Sequence, residues 1–317
     1  MVEPTPSTAS APERVILLFP GQGLHYVGMG RELSAAFPSA LALFEEADEA
    51  LGFSLSRLAW EGPLETLTQT RFAQPAILTH SIAALTVLRE QGKVEPVGAA
   101  GHSLGEWSAL VAAGVLRFGD AVRLVHRRGV FMEDTLAPGV GGMVAVLGLE
   151  REAVTALCDE AARGQVLEIA THNGPGHFVV AGHREALDRL RPLALEKGAS
   201  AATELQVSTP FHCSLMAEAG ARLEALLGEV TFGAPRFPVR STIADAWLRA
   251  DVPTDWCGLL ARQVTGPVLW AEAVSALGEL GVRRAVALGP GKSLLGMVKR
   301  IDRGLQTRVQ AEAADFA

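Results

Sequence analysis

The segment GHSLGEW (101–107) places Ser103 between two glycines, directly after an apolar run and directly before a helical pattern. A Gly-x-Ser-x-Gly spacing between a strand and a helix is typical of a nucleophile elbow, a sharp turn that exposes the serine hydroxyl. The helix that follows has free N–H groups and the positive end of a dipole at its start, and both stabilise an oxyanion. An ordinary strand-to-helix turn is the alternative interpretation, because this short pattern also arises by chance.

A serine nucleophile requires a general base, and the chain contains eight histidines. His212, in STPFHCSLM, follows a proline turn and precedes a helix. We therefore expect it on a loop at the edge of the core, where catalytic groups collect. A capping role is the alternative for His212. His102 flanks the nucleophile in the elbow, and its side chain should point away from that of Ser103.

Arg128 is the third residue whose position indicates chemistry. The helix predicted over 120–136 places it in the middle of an apolar stripe, with Arg123 and Arg127 on the other side. A guanidinium that faces inward is costly unless it meets an anion. Two interpretations remain open. The first is structural, with Arg128 either in an internal ion pair or snorkelling to solvent. The second is functional, with Arg128 in a bidentate contact with a substrate carboxylate.

Strands and helices must position these three residues. The apolar runs 14–19 and 94–100 predict buried parallel strands, and the second leads into the serine turn. The helix after Ser103 is predicted to end at a break at Gly119, and Asp120 is predicted to cap the next helix.

The middle of the chain has a different predicted order of secondary structure. It predicts strands and helices in the order β-α-β-β-α-β, which is the ferredoxin-like pattern. We therefore predict an α/β fold, with an α/β-hydrolase-like core that contains a parallel sheet and an inserted small ferredoxin-like subdomain. The predicted bounds are a disordered leader at 1–13, the catalytic core at 14–137 and 208–317, and the small subdomain at 138–207.

Composition excludes several classes of protein. A formal charge of −7 argues against a nucleic-acid binder, which needs a basic face. Three cysteines without a Cys-x-x-Cys pair indicate neither a disulfide framework nor a zinc site, and they favour a reduced, cytoplasmic setting. The sequence shows no signal peptide and no apolar run long enough to span a bilayer, so we expect no membrane association and no metal.

Six motifs occur in one order along the chain. Together they resemble the malonyl-CoA:acyl carrier protein transacylases and the related acyltransferases of polyketide synthases, from about residue 14 to residue 305. The motifs are FPGQG (19–23), GHSLGE (101–106), RRGVFM (127–132), FHCSLM (211–216), RQVTGPVLW (262–270) and GPGK (289–292).

This resemblance implies a ping-pong acyl transfer in polyketide or fatty acid biosynthesis. Ser103 matches the family's nucleophile and His212 its general acid and base. A backbone carbonyl near Gln263 is expected to orient the imidazole, in the role that an aspartate has in a triad. The oxyanion hole is expected to consist of the backbone N–H groups of Gln22 and Leu104.

The resemblance also implies the substrates. Malonyl-CoA and an acyl carrier protein are the expected partners, and no cofactor is expected. Arg128 matches the arginine that binds the carboxylate of the extender unit, and Asn173 falls in a segment that lines the substrate cleft. Phe211 matches the malonyl-type pattern, whereas methylmalonyl-type relatives tend to carry a serine there.

The chain departs from the family pattern at two places. Leu24 and His25 follow GQG, where Ser-Gln is usual, and Glu133 follows FM, where glutamine is common. We expect the first change to affect the oxyanion loop and the second to be surface variation. A set of basic residues near the C-terminal end is expected to receive the carrier protein or to be a solvated face; it comprises Arg283, Arg284, Lys292, Lys299, Arg300 and Arg303.

Two other functions remain open at this stage. One is a proofreading hydrolase that clears acyl chains from carrier proteins, and the other is a docking module without catalytic activity. An inward-facing Arg128 favours transfer of a dicarboxylic acyl unit over hydrolysis, and an intact Ser103, His212 and Arg128 set argues against the docking module. We expect a monomer.

Overall fold

The computed structural model describes residues 11–207, 209–290 and 292–317. The predicted leader lies outside the described residues as far as position 10. Its last residue, Glu13, already belongs to the first strand, so the predicted leader is too long at that end. Ser208 and Gly291, which fall in a predicted domain boundary and in the GPGK motif, also lie outside the described residues.

The described strands form two sheets. In chain order they are β1 (Glu13–Phe19), β2 (Val94–Gly101), β3 (Gly141–Leu147), β4 (Leu167–Gly174), β5 (His177–His183), β6 (Ala201–Glu204), β7 (Val239–Arg240), β8 (Trp247–Leu248), β9 (Val268–Leu269), β10 (Arg284–Leu288) and β11 (Gln306–Gln310).

Helices cover the sheets. In chain order they are α1 (Arg31–Ala36), α2 (Pro38–Leu51), α3 (Leu55–Glu61), α4 (Leu64–Thr68), α5 (Thr70–Glu90), α6 (Leu104–Ala113), α7 (Phe118–Asp134), α8 (Arg151–Ala162), α9 (Arg184–Glu196), α10 (Ala217–Leu227), α11 (Trp256–Thr265), α12 (Trp270–Ala276) and α13 (Ser293–Ile301). Short 3-10 turns lie at Ser214–Met216, Leu277–Leu280 and Ala313–Phe316.

The larger sheet has the strand order β11-β10-β1-β2-β7-β8. Its pairings are parallel except that β8 runs antiparallel to β7. Five consecutive residues of β1 are buried, as expected for a central parallel strand that helices cover on both faces. The mixed α/β fold with parallel strands that the sequence predicts is therefore confirmed.

The smaller sheet has the order β6-β3-β5-β4-β9. β3 to β6 come from the segment with the predicted β-α-β-β-α-β order and pair antiparallel. The fifth strand, β9, lies outside that segment and pairs parallel to β4 through Thr171 and His172. The second sheet therefore contains a strand from a distant part of the chain.

The helix boundary after the serine turn differs from the prediction. α6 ends at Ala113, because Gly114 adopts a left-handed conformation with φ 82° and caps it. The next helix, α7, begins at Phe118, so Gly119 lies inside its first turn and does not break a helix. Asp120 lies in that first turn as well, and Arg117 is the capping position. The predicted break at Gly119 and the predicted cap at Asp120 are therefore wrong.

One cluster of buried apolar side chains contains residues of both sheets, such as Leu17 of β1 and Val179 of β5, and further clusters lie around each sheet. Arg128 lies on α7 among buried residues and is 1% exposed, as its place in the apolar stripe predicts. None of the helices within the described residues is both long enough and apolar enough to cross a bilayer.

Candidate active site

The serine turn joins β2 to α6 and is the tightest part of the site. Ser103 has φ 51° and ψ −109°, a conformation that is strained for a residue with a side chain. The two glycines of the motif are required by close backbone approach. A Cβ on Gly101 would overlap the backbone of Gly105, and a Cβ on Gly105 would overlap the carbonyl of Phe19. The turn therefore has the shape of a nucleophile elbow.

His212 lies within hydrogen-bond distance of the serine. Its Nε2 is 2.7 Å from the Ser103 Oγ, and its Nδ1 is 2.8 Å from the backbone carbonyl oxygen of Gln263. Because a carbonyl only accepts, Nδ1 carries the proton and Nε2 is left with a lone pair that faces the hydroxyl. This tautomer is the one that a general base needs.

The amino-acid sequence explains why the backbone carbonyl of Gln263 is free to accept a hydrogen bond from His212. Gln263 lies in the last turn of α11, where the carbonyl would normally accept from the N–H four residues later. That residue is Pro267, which has no N–H. The carbonyl therefore keeps a free lone pair, and His212 uses it. The spacing Gln-x-x-x-Pro in RQVTGPVLW was the signal that sequence reasoning missed.

Burial and charge keep the imidazole neutral. Desolvation by burial, and secondly the positive charge of Arg128, lower the pKa of His212 to about 3, while the hydrogen bond to the Gln263 carbonyl acts in the opposite direction. Burial also lowers the pKa of Arg128, to about 10, so that its guanidinium remains protonated at neutral pH. The site thus combines a neutral imidazole with a protonated guanidinium at neutral pH.

Backbone donors lie beside the serine. Gln22 follows β1 and Leu104 is the first residue of α6, and β1 and β2 pair in parallel with Phe19 opposite Gly101. Carboxyl ends of neighbouring parallel strands lie at the same edge of a sheet, which places these two turns together. Neither N–H donates a hydrogen bond to any residue that the structure describes. Both remain available to an incoming oxygen.

Arg128 is held by side-chain amides. Its Nη1 donates to the Gln74 Oε1 at 2.7 Å and its Nη2 to the Gln263 Oε1 at 3.4 Å. No carboxylate of the described residues lies within ion-pair distance of the guanidinium. The internal ion pair that sequence reasoning kept open is therefore absent from the described part of the chain. A buried cation without a paired anion is suited to a carboxylate ligand.

A cavity of about 680 Å³ joins these groups. Asn173 lies in its wall, where its Oδ1 accepts a hydrogen bond from the His102 Nε2 at 2.8 Å. Phe211 lies beside His212 and is nearly buried. Gln263 lies behind the wall, and every other predicted site residue lines the cavity: Gln22, Ser103, Leu104, Arg128, Asn173, Phe211 and His212.

The two departures from the family pattern also lie at this cavity. The His25 Nε2 is 3.1 Å from the Thr68 Oγ1. Glu133 is largely buried, accepts a hydrogen bond from the backbone N–H of Thr70 at 2.5 Å and pairs with Arg71. The prediction that Glu133 is surface variation is therefore wrong, because its helix end packs against the start of α5.

Gln74 and Thr70 are site residues that sequence reasoning missed. Thr70 accepts from the Gln22 Nε2 at 3.2 Å, and Gln74 contacts both Gln22 and Arg128. Both lie on α5, in a stretch whose sequence indicates only a helix. No group of three or more His, Cys, Asp or Glu side chains in the described ranges is arranged to hold a metal ion.

Comparison with known proteins identifies a family of acyl transferases. The Acyl transferase domain family matches residues 16–290. The malonyl CoA-acyl carrier protein transacylase of Escherichia coli strain K12 is 43% identical over 285 residues, which cover 90% of this chain and 91% of that protein.

Two solved structures extend the likeness to three dimensions. An acyl carrier protein S-malonyltransferase from Vibrio cholerae has a TM-score of 0.91 at 39% identity and covers 95% of this chain and 98% of its own. A malonyl-transacylase in complex with its type II PKS acyl-carrier protein has the same TM-score and identity and covers 96% of this chain and 97% of its own. The family match spans most of the chain and includes every site residue described above. This chain therefore belongs to the acyl transferase family that contains the malonyl CoA-acyl carrier protein transacylases.

Proposed function

We propose that this chain transfers a malonyl group from malonyl-CoA to the phosphopantetheine thiol of an acyl carrier protein, through an ester on Ser103. The observation that carries the proposal is the placement of Arg128, a buried cation that lines the same cavity as Ser103 and His212 and has no paired carboxylate within the described residues. Relatives at about 40% identity are named for malonyl transfer to a carrier protein.

The first half-reaction forms the ester. The malonyl carboxylate binds Arg128, which positions the thioester carbonyl over Ser103. His212 accepts the hydroxyl proton at Nε2 as Oγ attacks, and the N–H groups of Gln22 and Leu104 stabilise the oxyanion. The tetrahedral intermediate then expels the CoA thiolate, and His212 donates to it the proton that came from Ser103.

The second half-reaction reverses these steps. The carrier's thiol gives its proton to His212 and attacks the ester, and the serine alkoxide leaves and regains the proton. The nucleophile, the base and the oxyanion donors that these reaction steps require all come from the chain itself, so no cofactor enters the proposal. Water must be kept from the ester between the two halves, and the nearly buried Phe211 contributes to that exclusion.

We also propose the finer division of the fold. The parallel sheet corresponds to an α/β-hydrolase-like core built from 14–137 and 208–317, and β3 to β6 with α8 and α9 correspond to a ferredoxin-like subdomain at 138–207. The antiparallel pairings of β3, β4, β5 and β6 support this division. A monomeric state and a cytoplasmic location stay predictions.

The carrier protein is proposed to dock near the C-terminal helix. Lys299 and Arg300 are exposed in the last turn of α13, and Ser293 and Leu294 at its start line the cavity. An acidic partner on this helix would therefore be near the cavity. Arg283 and Arg284 are less suitable, because they pair with Asp302 and Glu13.

Intact-protein mass spectrometry with malonyl-CoA tests the function. We expect one malonyl adduct on the wild type, none on Ser103→Ala, and transfer of the adduct to a holo carrier protein that is faster than its loss to water. Loss to water at the same rate with and without carrier thiol would favour the hydrolase. The absence of any adduct would contradict acyl transfer and favour a docking role.

A further inference from the structure

Glu106, the last residue of GHSLGE, is a buried carboxylate that the proposed reaction does not use. It lies in the first turn of α6, three residues after the nucleophile. Its Oε2 accepts hydrogen bonds from the Thr242 N–H at 3.1 Å, the Thr242 hydroxyl at 2.7 Å and the Gln263 Nε2 at 3.0 Å. Burial raises the pKa of Glu106, but these donors favour the carboxylate form.

Both the NH₂ group and the oxygen of the Gln263 side-chain amide make hydrogen bonds. Its Nε2 donates to Glu106 and, at 3.3 Å, to the backbone carbonyl of Ser103. Its Oε1 accepts from the Trp107 Nε1 at 2.9 Å and from Arg128. An amide rotated by 180° would direct its NH₂ at two donors and its oxygen at two acceptors. Two of these four partners are charged groups, and Glu106, at 3.0 Å from the Gln263 Nε2, makes a shorter contact than Arg128, at 3.4 Å from the Oε1. The Glu106 contact therefore has the larger effect on the orientation.

This orientation determines what Arg128 meets. Gln263 and Gln74 each direct a neutral amide oxygen at one Nη atom, which fixes the guanidinium without neutralising it. The carboxylate of Glu106 acts from behind Gln263, where it raises the pKa of Arg128 against the effect of burial. A carboxylate in direct contact would instead compete with the substrate for the same donors.

We propose that Glu106 is a positioning residue for recognition of the acyl carboxylate, because it holds the Gln263 amide in the orientation that presents an oxygen to Arg128 and a donor to the Ser103 carbonyl. The inference rests on the proposed function, since the anion to be recognised is the malonyl carboxylate. It assigns a task to the side chain of Gln263 that is separate from the contact of its backbone carbonyl with His212.

The test is Glu106→Gln, which keeps the shape of the side chain but removes the charge and adds a donor. Ser103 acylation is measured with malonyl-CoA and with acetyl-CoA, which has no free carboxylate, and Ser103 reactivity is measured with a fluorophosphonate probe. We expect the preference for malonyl over acetyl to fall about tenfold, the size expected when a hydrogen bond to a charged group is lost. The fluorophosphonate rate should change less than about twofold.

Thr242→Val is the matched control. It removes one donor to the same carboxylate but leaves the Gln263 contact, so it should lower the melting temperature and leave the malonyl preference unchanged. Gln263→Met is a second variant in case Glu106→Gln does not fold. It keeps the backbone carbonyl and removes the amide, so it should reproduce the loss of preference.

The outcomes separate this proposal from the function on which it rests. Failure of the wild type to acquire a malonyl group would contradict the proposed function itself. A wild type that is malonylated, together with an unchanged malonyl preference in Glu106→Gln or in Gln263→Met, would overturn the role of Glu106 alone. A loss of melting temperature equal to that of Thr242→Val, without a change in preference, would also overturn it and leave Glu106 a structural residue.

Discussion

The Glu133 carboxylate accepts a hydrogen bond from the backbone N–H of Thr70 at 2.5 Å, and so joins the end of α7 to the start of α5. An acidic group at a helix N-terminus satisfies a free N–H and interacts favourably with the helix dipole. Thr70 in turn accepts a hydrogen bond from the side chain of Gln22, whose backbone N–H is proposed to stabilise the oxyanion. A residue outside the expected motif is thus two contacts away from Gln22.

The variant Glu133→Ala should therefore be less stable. We expect the loss of about 1 kcal/mol that follows removal of a helix cap, which lowers the melting temperature by about 2 °C for a chain of this size. Differential scanning fluorimetry measures it. Asp120→Asn is the control, because the partner of Asp120 among the described residues is the exposed Arg123, and the loss of an exposed pair should have a smaller effect. Equal shifts in the two variants would contradict the capping role.

Replacement of the buried cation should change the choice of substrate. We expect Arg128→Ala to lower the rate of Ser103 malonylation by about 100-fold, since a charge-assisted contact with the substrate carboxylate is lost. Acetyl transfer, which needs no such contact, should fall much less. The rates are measured by intact mass after rapid quench. Arg127→Ala is the matched control, because Arg127 is exposed one residue away and should leave both rates unchanged.

Acid should destabilise this protein partly through His212. Its pKa is about 3 in the folded chain and about 6.5 when unfolded, so between these values the unfolded chain binds more protons and the folded state loses stability as the pH falls. Each pH unit in this window costs about 1.4 kcal/mol. The stability is fully present above the unfolded pKa.

The measurement is chemical denaturation at about pH 7.5 and about pH 5, for the wild type and for His212→Asn. We expect the wild type to lose about 2 kcal/mol more than the variant between these conditions. Other buried histidines with lowered pKa values, such as His80 and His102, are present in both proteins and cancel in the comparison. Parallel pH dependence in the two proteins would show that the imidazole is not desolvated.

Phe211 should limit the bulk of the acyl group. A nearly buried ring beside His212 leaves little space for an α-methyl group, so Phe211→Ser should raise methylmalonyl transfer relative to malonyl transfer several-fold. Competition between the two thioesters, read by mass spectrometry, gives the ratio directly. Phe211→Leu keeps an apolar side chain and should alter the ratio less. An unchanged ratio in Phe211→Ser would refute this role.

Much of the site could be predicted because its signals are local. The strand-to-helix context of Ser103 and the helical periodicity around Arg128 each depend on neighbours within a few turns. The structure brings both residues to one cavity with His212. The role of His212 could be predicted only from the family resemblance, because nothing in FHCSLM itself distinguishes a general base from a helix-capping residue.

Other features depend on partners that are distant in the sequence. Glu133 was misjudged because its partner, Thr70, precedes it by 63 positions, and no local pattern records that contact. β9 was missed because two residues of strand have no periodicity to detect. The helix end was wrongly predicted at Gly119 because the segment contains two glycines, Gly114 and Gly119, and either could end a helix. Gly114 ends the helix, since it is the one that adopts a positive φ.

The pairing of Phe19 with Gly101 has a consequence for how the enzyme alternates between its two large partners. Ser103 and the two proposed oxyanion donors, Gln22 and Leu104, follow the ends of the two hydrogen-bonded strands β1 and β2, and the His102 N–H, which donates to the Phe19 carbonyl, adds a further link between the strands. Their spacing is set when the chain folds rather than when a thioester arrives. We therefore expect the departure of coenzyme A and the arrival of a carrier protein to leave this spacing unchanged, and we expect substitutions in the outer walls of the cleft to alter partner choice more than the chemistry.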